Sequence, residues 1–195
     1  MGLQGLKIGF ALTGSYCTFE KILPQVEELV KKGAEVFPIV SYSVSSTGTR
    51  FGESAYWLDR LREITKKKEI STMVDAEPIG PGGFLDLIIV APCTGNTLAK
   101  LANGISDTPV LMALKAQLRN HKPVVLAIST NDGLSMNAKN LGLLLNTRNI
   151  YFVPFGQDNP KEKQNSLVAH MDRILETIFA ALEGRQLQPL LVEYK

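Results

Sequence analysis

The sequence predicts a single-domain, three-layer α/β fold built on a doubly wound parallel sheet, and three observations carry that prediction. Short apolar runs rich in β-branched residues, Leu87-Ile88-Ile89-Val90 and Pro123 to Ser129 above all, have strand length and lack alternation, as strands buried on both faces do. Between such runs stand stretches with apolar residues at helical spacing. Strand ends are followed by small polar residues that open a helix, most fully at Cys93-Thr94-Gly95-Asn96-Thr97. A chain of 195 residues buries a sizeable core without metal or disulfide support. No internal repeat or long linker divides it, so residues 1–195 read as one domain, with 185–195 a C-terminal tail or arm.

Taken in order, Lys7 to Leu12 reads as a strand and Thr13-Gly14-Ser15 as the turn into a helix with Ile22, Leu23, Val26, Leu29 and Val30 on one face, ended by Gly33. Glu35 to Val40 closes a βαβ unit whose crossover should be right-handed, although Pro38 within it cannot donate to a ladder. Ser41 to Arg50 reads as a solvated polar connection and Glu53 to Lys68 as a helix. Lys66-Lys67-Lys68 suits the C-terminal turn of that helix, where cations are favoured. Breakers at Pro78, Gly80, Pro81, Gly82 and Gly83 make residues 70–83 irregular, with a short edge strand near Ser71 to Val74. The central strand is stopped by Pro92. Leu98, Leu101, Ala102 and Ile105 continue as a helix, and Pro109 to Arg119 as another. Pro123 to Ser129 is a strand, Thr130 to Asn137 a second polar turn, Ala138 to Leu145 a helix and Asn149 to Pro154 the last strand. One long amphipathic helix then runs from Leu167 through Leu182, ended by Gly184. The tail, with Leu187, Leu190, Leu191 and Val192, suits either a mobile end or an arm onto a neighbouring protomer.

Several function classes are excluded. Twenty-one basic residues against 19 acidic ones leave a net charge of +2, which makes no electrostatic case for nucleic acid or an anionic membrane. The apolar stretch Ile8 to Leu12 is too short for a signal peptide or a span, and Gly2 lacks the hydroxyl residue that myristoylation requires. Cys17 and Cys93 form no metal spacing, so a reduced cytoplasmic setting is expected. GxGxxG, P-loop and GxSxG motifs are missing. The two histidines, His121 and His170, fall where structural or surface roles suffice, which argues against a nucleoside triphosphatase or a triad hydrolase.

What remains is a set of four polar turns after predicted strands: Thr13-Gly14-Ser15, Ser41 to Ser43, Cys93 to Thr97, and Ser129 to Asn137. In a parallel sheet all four point the same way, toward the edge where open α/β proteins bind ligands. Their hydroxyls, amides and free backbone N–H groups suit a phosphate held by neutral donors beside a polar heterocycle. The same residue types are also the ordinary caps and turns of any α/β fold. Cys93, at a strand end beside a helix start, fits a ligand contact and an inert buried thiol equally well.

Ala91 to Asp107, APCTGNTLAKLANGISD, resembles the P-A-S-A-N-T-x-x-K-x-A-N-G-x-x-D signature of the FMN-binding cysteine-decarboxylase flavoproteins. That family includes phosphopantothenoylcysteine decarboxylase and the flavin prenyltransferases. Thr13-Gly14-Ser15 is similar to the family's FMN phosphate loop, Ser41 falls where its second strand delivers another hydroxyl, and Ser135-Met136-Asn137 resembles part of its P-x-M-N segment. The resemblance covers nearly the whole chain and implies a flavodoxin-like, Rossmann-like fold. It implies FMN held by Gly14 and Ser15 at the phosphate, by Ser41, Thr94, Asn96 and Thr97 along the ribityl and ring edges, and by Asn131, Met136 and Asn137 at ring or substrate. Thr13, Pro92, Cys93 and Ser129 complete that cofactor-binding set.

The family's decarboxylases use a histidine after the second strand and a cysteine in a substrate clamp. Here Ser41 to Tyr56 holds no histidine and no cysteine follows Cys93, so decarboxylation by that route is not expected. Within the family the chain looks more like one component of a two-chain enzyme, working with a nicotinamide-dependent partner chain, the NAD(P) lying on the partner, to oxidise a dihydropyridine dicarboxylate to its aromatic product. The alternatives are an FMN-dependent decarboxylase or flavin prenyltransferase, and a non-catalytic stabilising subunit. The resemblance also implies a homo-oligomer, trimer or dodecamer. Arg50, Lys100 and Lys139 are candidates for pairing with the carboxylates of the substrate.

Overall fold

A computed structural model of the chain describes residues 2–194; Met1 and Lys195, the two ends of the predicted domain and tail, lie outside them. Strand β1 (Lys7–Leu12) leads through a single 3-10 turn into helix α1 (Phe19–Lys31) and back to β2 (Glu35–Val40), in parallel register from Lys7 beside Glu35 to Leu12 beside Val40. β3 (Leu87–Cys93) lies on the other side of β1, followed by β4 (Val124–Thr130) and β5 (Ile150–Phe152). The parallel strands therefore run β2-β1-β3-β4-β5, the expected doubly wound order. All seven residues of β3 are buried, which is why that run shows no alternation.

Pro92 does not end β3. Val90 pairs with Leu126 and Cys93 with Ile128, so three steps along β3 match two along β4; the bulge at Ala91-Pro92 accommodates the residue that has no N–H to donate. The connection after β2 is not all loop, since Tyr42–Ser46 forms a helical turn, α2. α3 (Ser54–Thr65) stops short of the lysines, at Lys66 in the left-handed conformation (φ 55°). No edge strand forms at Ser71 to Val74: Ile70 makes an isolated bridge to Ile39, and two helical turns follow, α4 (Met73–Ala76), capped by Thr72, and α5 (Ile79–Gly82). α6 (Gly95–Ala102) and α7 (Pro109–Arg119) lie between β3 and β4, and α8 (Ala138–Leu145) precedes β5.

The largest departure lies after β5. Two short strands, β6 (Phe155–Gly156) and β7 (Leu167–Ala169), pair antiparallel, and β7 pairs antiparallel with the end of β4, Ser129 opposite Val168 and Thr130 opposite Leu167. β4 outruns β5, and its last backbone groups need partners on that side. The predicted long helix consequently begins only at Ile174, as α9 (Ile174–Leu182), after a 3-10 turn at Met171–Arg173. The tail folds back on its own chain: the Gln186 side chain exchanges two hydrogen bonds with the backbone of Phe152 (2.8 and 2.7 Å), and Leu190 and Val192 bond to Phe155 at 3.0 Å each. α1 and α9 pack together on one face of the sheet, while α7, flanked by α4, α5 and α6, covers the other. Among the described residues no helix is long and apolar enough to cross a membrane.

Candidate functional site

Chain connections leave β1 and β3 for opposite faces of the sheet, and the crevice between those two strand ends is where an open α/β sheet receives ligands. Thr13, buried at the end of β1, joins the two sides: its hydroxyl donates to the carbonyl of Pro92 (2.7 Å) and accepts from the backbone N–H of Thr94 (3.0 Å). Thr94 caps α6, its hydroxyl accepting from the N–H of Thr97. The loops beginning at residues 13 and 94 therefore form one mouth.

Two adjoining cavities open there, sharing Gly14, Thr94 and Asn96 in their walls. The smaller, about 190 Å³, is walled by hydroxyls from three elements, among them Ser41 and Ser43 beside β2, Thr97 on α6 and Thr108 at the start of α7. Lys100, one turn into α6, supplies its cation and pairs with Asp107 at 2.7 Å. Gly14 allows this closure, because a Cβ there would stand 3.0 Å from the Ser43 hydroxyl. Tyr16 braces the same wall by donating to the carbonyl of Ser43 (2.7 Å), and burial raises its pKa. A small chamber of hydroxyls, one lysine and a helix N-terminus has the chemistry of a phosphate site.

The larger cavity, about 500 Å³, spreads from Ser15 and Asn96 toward Ser129, Asn131 and the segment between β6 and β7. Ser15 and Ser129 hydrogen-bond across its floor at 2.8 Å. Asp132 forms one wall. Its carboxylate accepts from the hydroxyl of Thr130 and the amide of Asn137 (2.8 Å), and Asn137 in turn accepts from Asn140 (2.9 Å). This network presses on Gly95, where a Cβ would lie 2.6 Å from Asp132 Oδ1 and 2.7 Å from Asn137 Nδ2; a side chain at 95 would drive the loop off α6.

Of the residues expected to bind a cofactor, Thr13, Gly14, Ser15, Ser41, Thr94, Asn96, Thr97, Ser129 and Asn131 all line one or both cavities. Four are placed elsewhere. Pro92 is buried within β3 and reaches the mouth only through its carbonyl; Cys93 is fully buried, and burial pushes its thiol up to about 12, so it is protonated and inert at neutral pH. Asn137 is buried beneath Asp132, and Met136 points outward, 73% exposed. Sequence reasoning missed Ser43, Thr108, Asp132, Asp158, Lys163 and Ser166. Ser43 and Asp132 lay inside the flagged turns, but the last three arrive on the antiparallel hairpin, for which the sequence shows no strand pattern long enough to see.

Known proteins resemble this chain in sequence and fold. The Flavoprotein family model matches residues 2–182. The B subunit of dipicolinate synthase from Bacillus subtilis (strain 168) is 55% identical over 191 residues, 98% of this chain and 96% of that protein. The crystal structure of the corresponding dipicolinate synthase protein from Bacillus halodurans C superimposes with a TM-score of 0.92 at 52% identity, covering all of both chains. The FMN binding protein AtHal3 shares the fold at a TM-score of 0.63 and 20% identity, over 94% of this chain and 100% of that one. With the switch-point mouth, the strand order and these matches together, the chain belongs to the Flavoprotein family.

Proposed function

We propose that this chain is the FMN-binding component of a dipicolinate synthase. It works with the A subunit of that enzyme, a nicotinamide-dependent chain, to oxidise a dihydrodipicolinate-type intermediate to dipicolinate during spore formation. The observation that carries the proposal is the hydroxyl-lined chamber at the β1/β3 switch point, on a chain 55% identical to the B subunit of a dipicolinate synthase. The donor set fits FMN at its phosphate end: Ser41, Ser43, Thr97 and Thr108 offer neutral donors, and Lys100 a charge. Asn96, Ser129 and Asn131 offer amides and a hydroxyl to the polar edge of a ring in the larger cavity.

Bound FMN supplies two-electron chemistry at its ring, and everything else falls to the chain. The walls orient a planar substrate and exclude water from one side. Asp132 has both oxygens bonded within the chain, which braces that wall of the larger cavity. The partner chain would hold the nicotinamide, which would supply the terminal two-electron oxidant for aromatisation.

Titration of the purified chain with FMN, followed by quenching of flavin fluorescence, tests the proposal. Saturable binding near one FMN per chain is expected, and FMN at 100 times its Kd should stabilise the fold by about 2.7 kcal/mol. Thr97→Val should weaken binding about tenfold through one lost hydroxyl donor to phosphate. No binding, together with full synthase activity of a flavin-free pair of chains, would remove FMN from the proposal.

A further inference from the structure

We infer that Lys163 anchors one carboxylate of the substrate, with Asp158 and Ser166 positioning it, so that the hairpin between β6 and β7 selects for a pyridine or dihydropyridine dicarboxylate. This rests on the function proposed above. Entry of a dicarboxylate into a cavity strips its carboxylates of water, which requires a cationic partner on the wall. Among the described residues lining the 500 Å³ cavity, Lys163 is the one cation. The cations expected from sequence do not serve: Arg50 stacks on the ring of Phe51 (4.9 Å), Lys100 faces the smaller chamber and pairs with Asp107, and Lys139 is on neither wall.

The hairpin that carries the lysine is held in place by a chain of bonds. Ser166 is buried and donates to the carbonyl of Thr130 at the end of β4 (3.2 Å), which ties the hairpin to the sheet. Asp158 pairs with Lys163 at 3.3 Å. Burial alone would lift the Asp158 pKa, but its polar neighbours, Ser166 first and then Lys163, outweigh it and hold the carboxyl below its ordinary range. The connecting loop is stitched by its own groups: Glu162 N–H donates to the Asn159 side chain (3.1 Å), Lys163 N–H to the Asn159 carbonyl (2.7 Å) and the Gln157 amide to the Gln164 carbonyl (2.7 Å). These bonds fix the backbone that carries the lysine, while its side chain, 59% exposed, is steered by Asp158.

Asp132 adds a second carboxylate to the cavity wall, but it is bonded within the chain rather than paired with Lys163. Its two oxygens are taken by Thr130 and Asn137, and it sits against the first turn of α6, where the helix N-terminus offsets negative charge. Asp158 leaves Lys163 with donors to spare, since an ammonium has three. The second carboxylate of the substrate would meet the neutral amides of Asn96 and Asn131.

The test is calorimetric titration of pyridine-2,6-dicarboxylate into the full-length chain, with FMN affinity measured on the same samples. Lys163→Gln should weaken the dicarboxylate about tenfold, Lys163→Arg by less than about threefold and Asp158→Asn by about threefold, all with FMN affinity unchanged. In the two-chain enzyme the same Lys163→Gln change should raise KM and leave kcat within about twofold, the pattern of lost uniform binding. Equal dicarboxylate affinity in wild type and Lys163→Gln, or no dicarboxylate binding by the wild type, overturns the role of Lys163 while leaving an FMN site standing. Failure of the wild type to bind FMN strikes the function instead, and the dicarboxylate titration still decides the role of Lys163.

Discussion

Burial alone separates two cysteines of identical chemistry. Cys93 lies in β3 without solvent contact, and desolvation of the thiolate moves its pKa from the ordinary 9.0 up to about 12; Cys17 is exposed at the rim of the larger cavity. A helix start beside Cys93 could have lowered that pKa, but the strand buries the sulfur and burial wins. At pH 8 an aromatic disulfide reagent should therefore titrate one thiol in the native chain and two in denaturant. The sign of the pH effect follows from the raised folded pKa. Below pH 9 both folded and unfolded chains keep the proton; above it the unfolded chain releases its proton while the folded chain holds on until about 12. Stability falls with rising pH across that window. Urea midpoints measured from pH 8 to 11 should decline less steeply for Cys93→Ala than for the wild type, and equal slopes would mean that the thiol is not buried in solution.

At the scale of elements, one ion pair ties the end of α3, whose apolar face is buried through Trp57, Leu58 and Leu61, to the segment that bridges to the sheet. Arg62, in the last turn of α3, forks onto Glu69 with Nε at 2.8 Å from Oε2 and Nη2 at 2.7 Å from Oε1. Glu69 immediately precedes Ile70, the residue that bridges to Ile39 of β2. The carboxylate is 6% exposed and the guanidinium 42%, so the pair is neither a surface bridge nor fully buried. Burial alone would raise the Glu69 pKa; the Arg62 fork more than offsets it and the pKa ends below its usual range. Because the folded pKa is depressed, this contribution is present above the ordinary carboxylate range and is lost as pH falls through the folded value. Arg62→Gln should cost about 1–2 kcal/mol at pH 7, between surface and buried limits. In urea unfolding that difference should shrink below pH 4; a difference constant with pH would assign the loss to packing of the arginine stem.

The whole molecule is a five-stranded parallel sheet extended by a two-stranded hairpin, with the C-terminal tail laid over the hairpin's far edge. The tail makes four backbone-type hydrogen bonds, two through Gln186 to Phe152 and two to Phe155. At about 1 kcal/mol each, and about 2–4 °C per kcal/mol for a chain of this size, removal of residues 186–195 should lower Tm by about 10 °C. Size-exclusion chromatography of the truncated chain should leave the oligomeric state unchanged. Dissociation without thermal loss would make the tail an arm between protomers, the other role its apolar residues suit. Exposed apolar side chains lie both around α8, at Leu134, Met136, Leu143 and Leu145, and on the tail, at Leu191 and Tyr194, so truncation removes only one of two apolar surfaces.

Which parts of this were legible in the linear chain depends on the range of the interactions that create them. β3 and β4 could be read because burial on both faces demands an unbroken apolar run, and the turns at residues 13–15 and 93–97 because helix starts need small hydroxyl residues whatever surrounds them. Nine cofactor candidates line the mouth for that reason. The strands β6 and β7, with two and three residues, carry no period to detect and form only because β4 runs past β5 and leaves backbone groups to satisfy. Leu167 thus left a helical pattern for a strand, and Lys163 and Asp158 came to a cavity about thirty residues upstream in the chain. Local propensity determined the layers and the floor of the site, whereas hydrogen-bond demand at a distant strand edge decided which charges line the larger cavity.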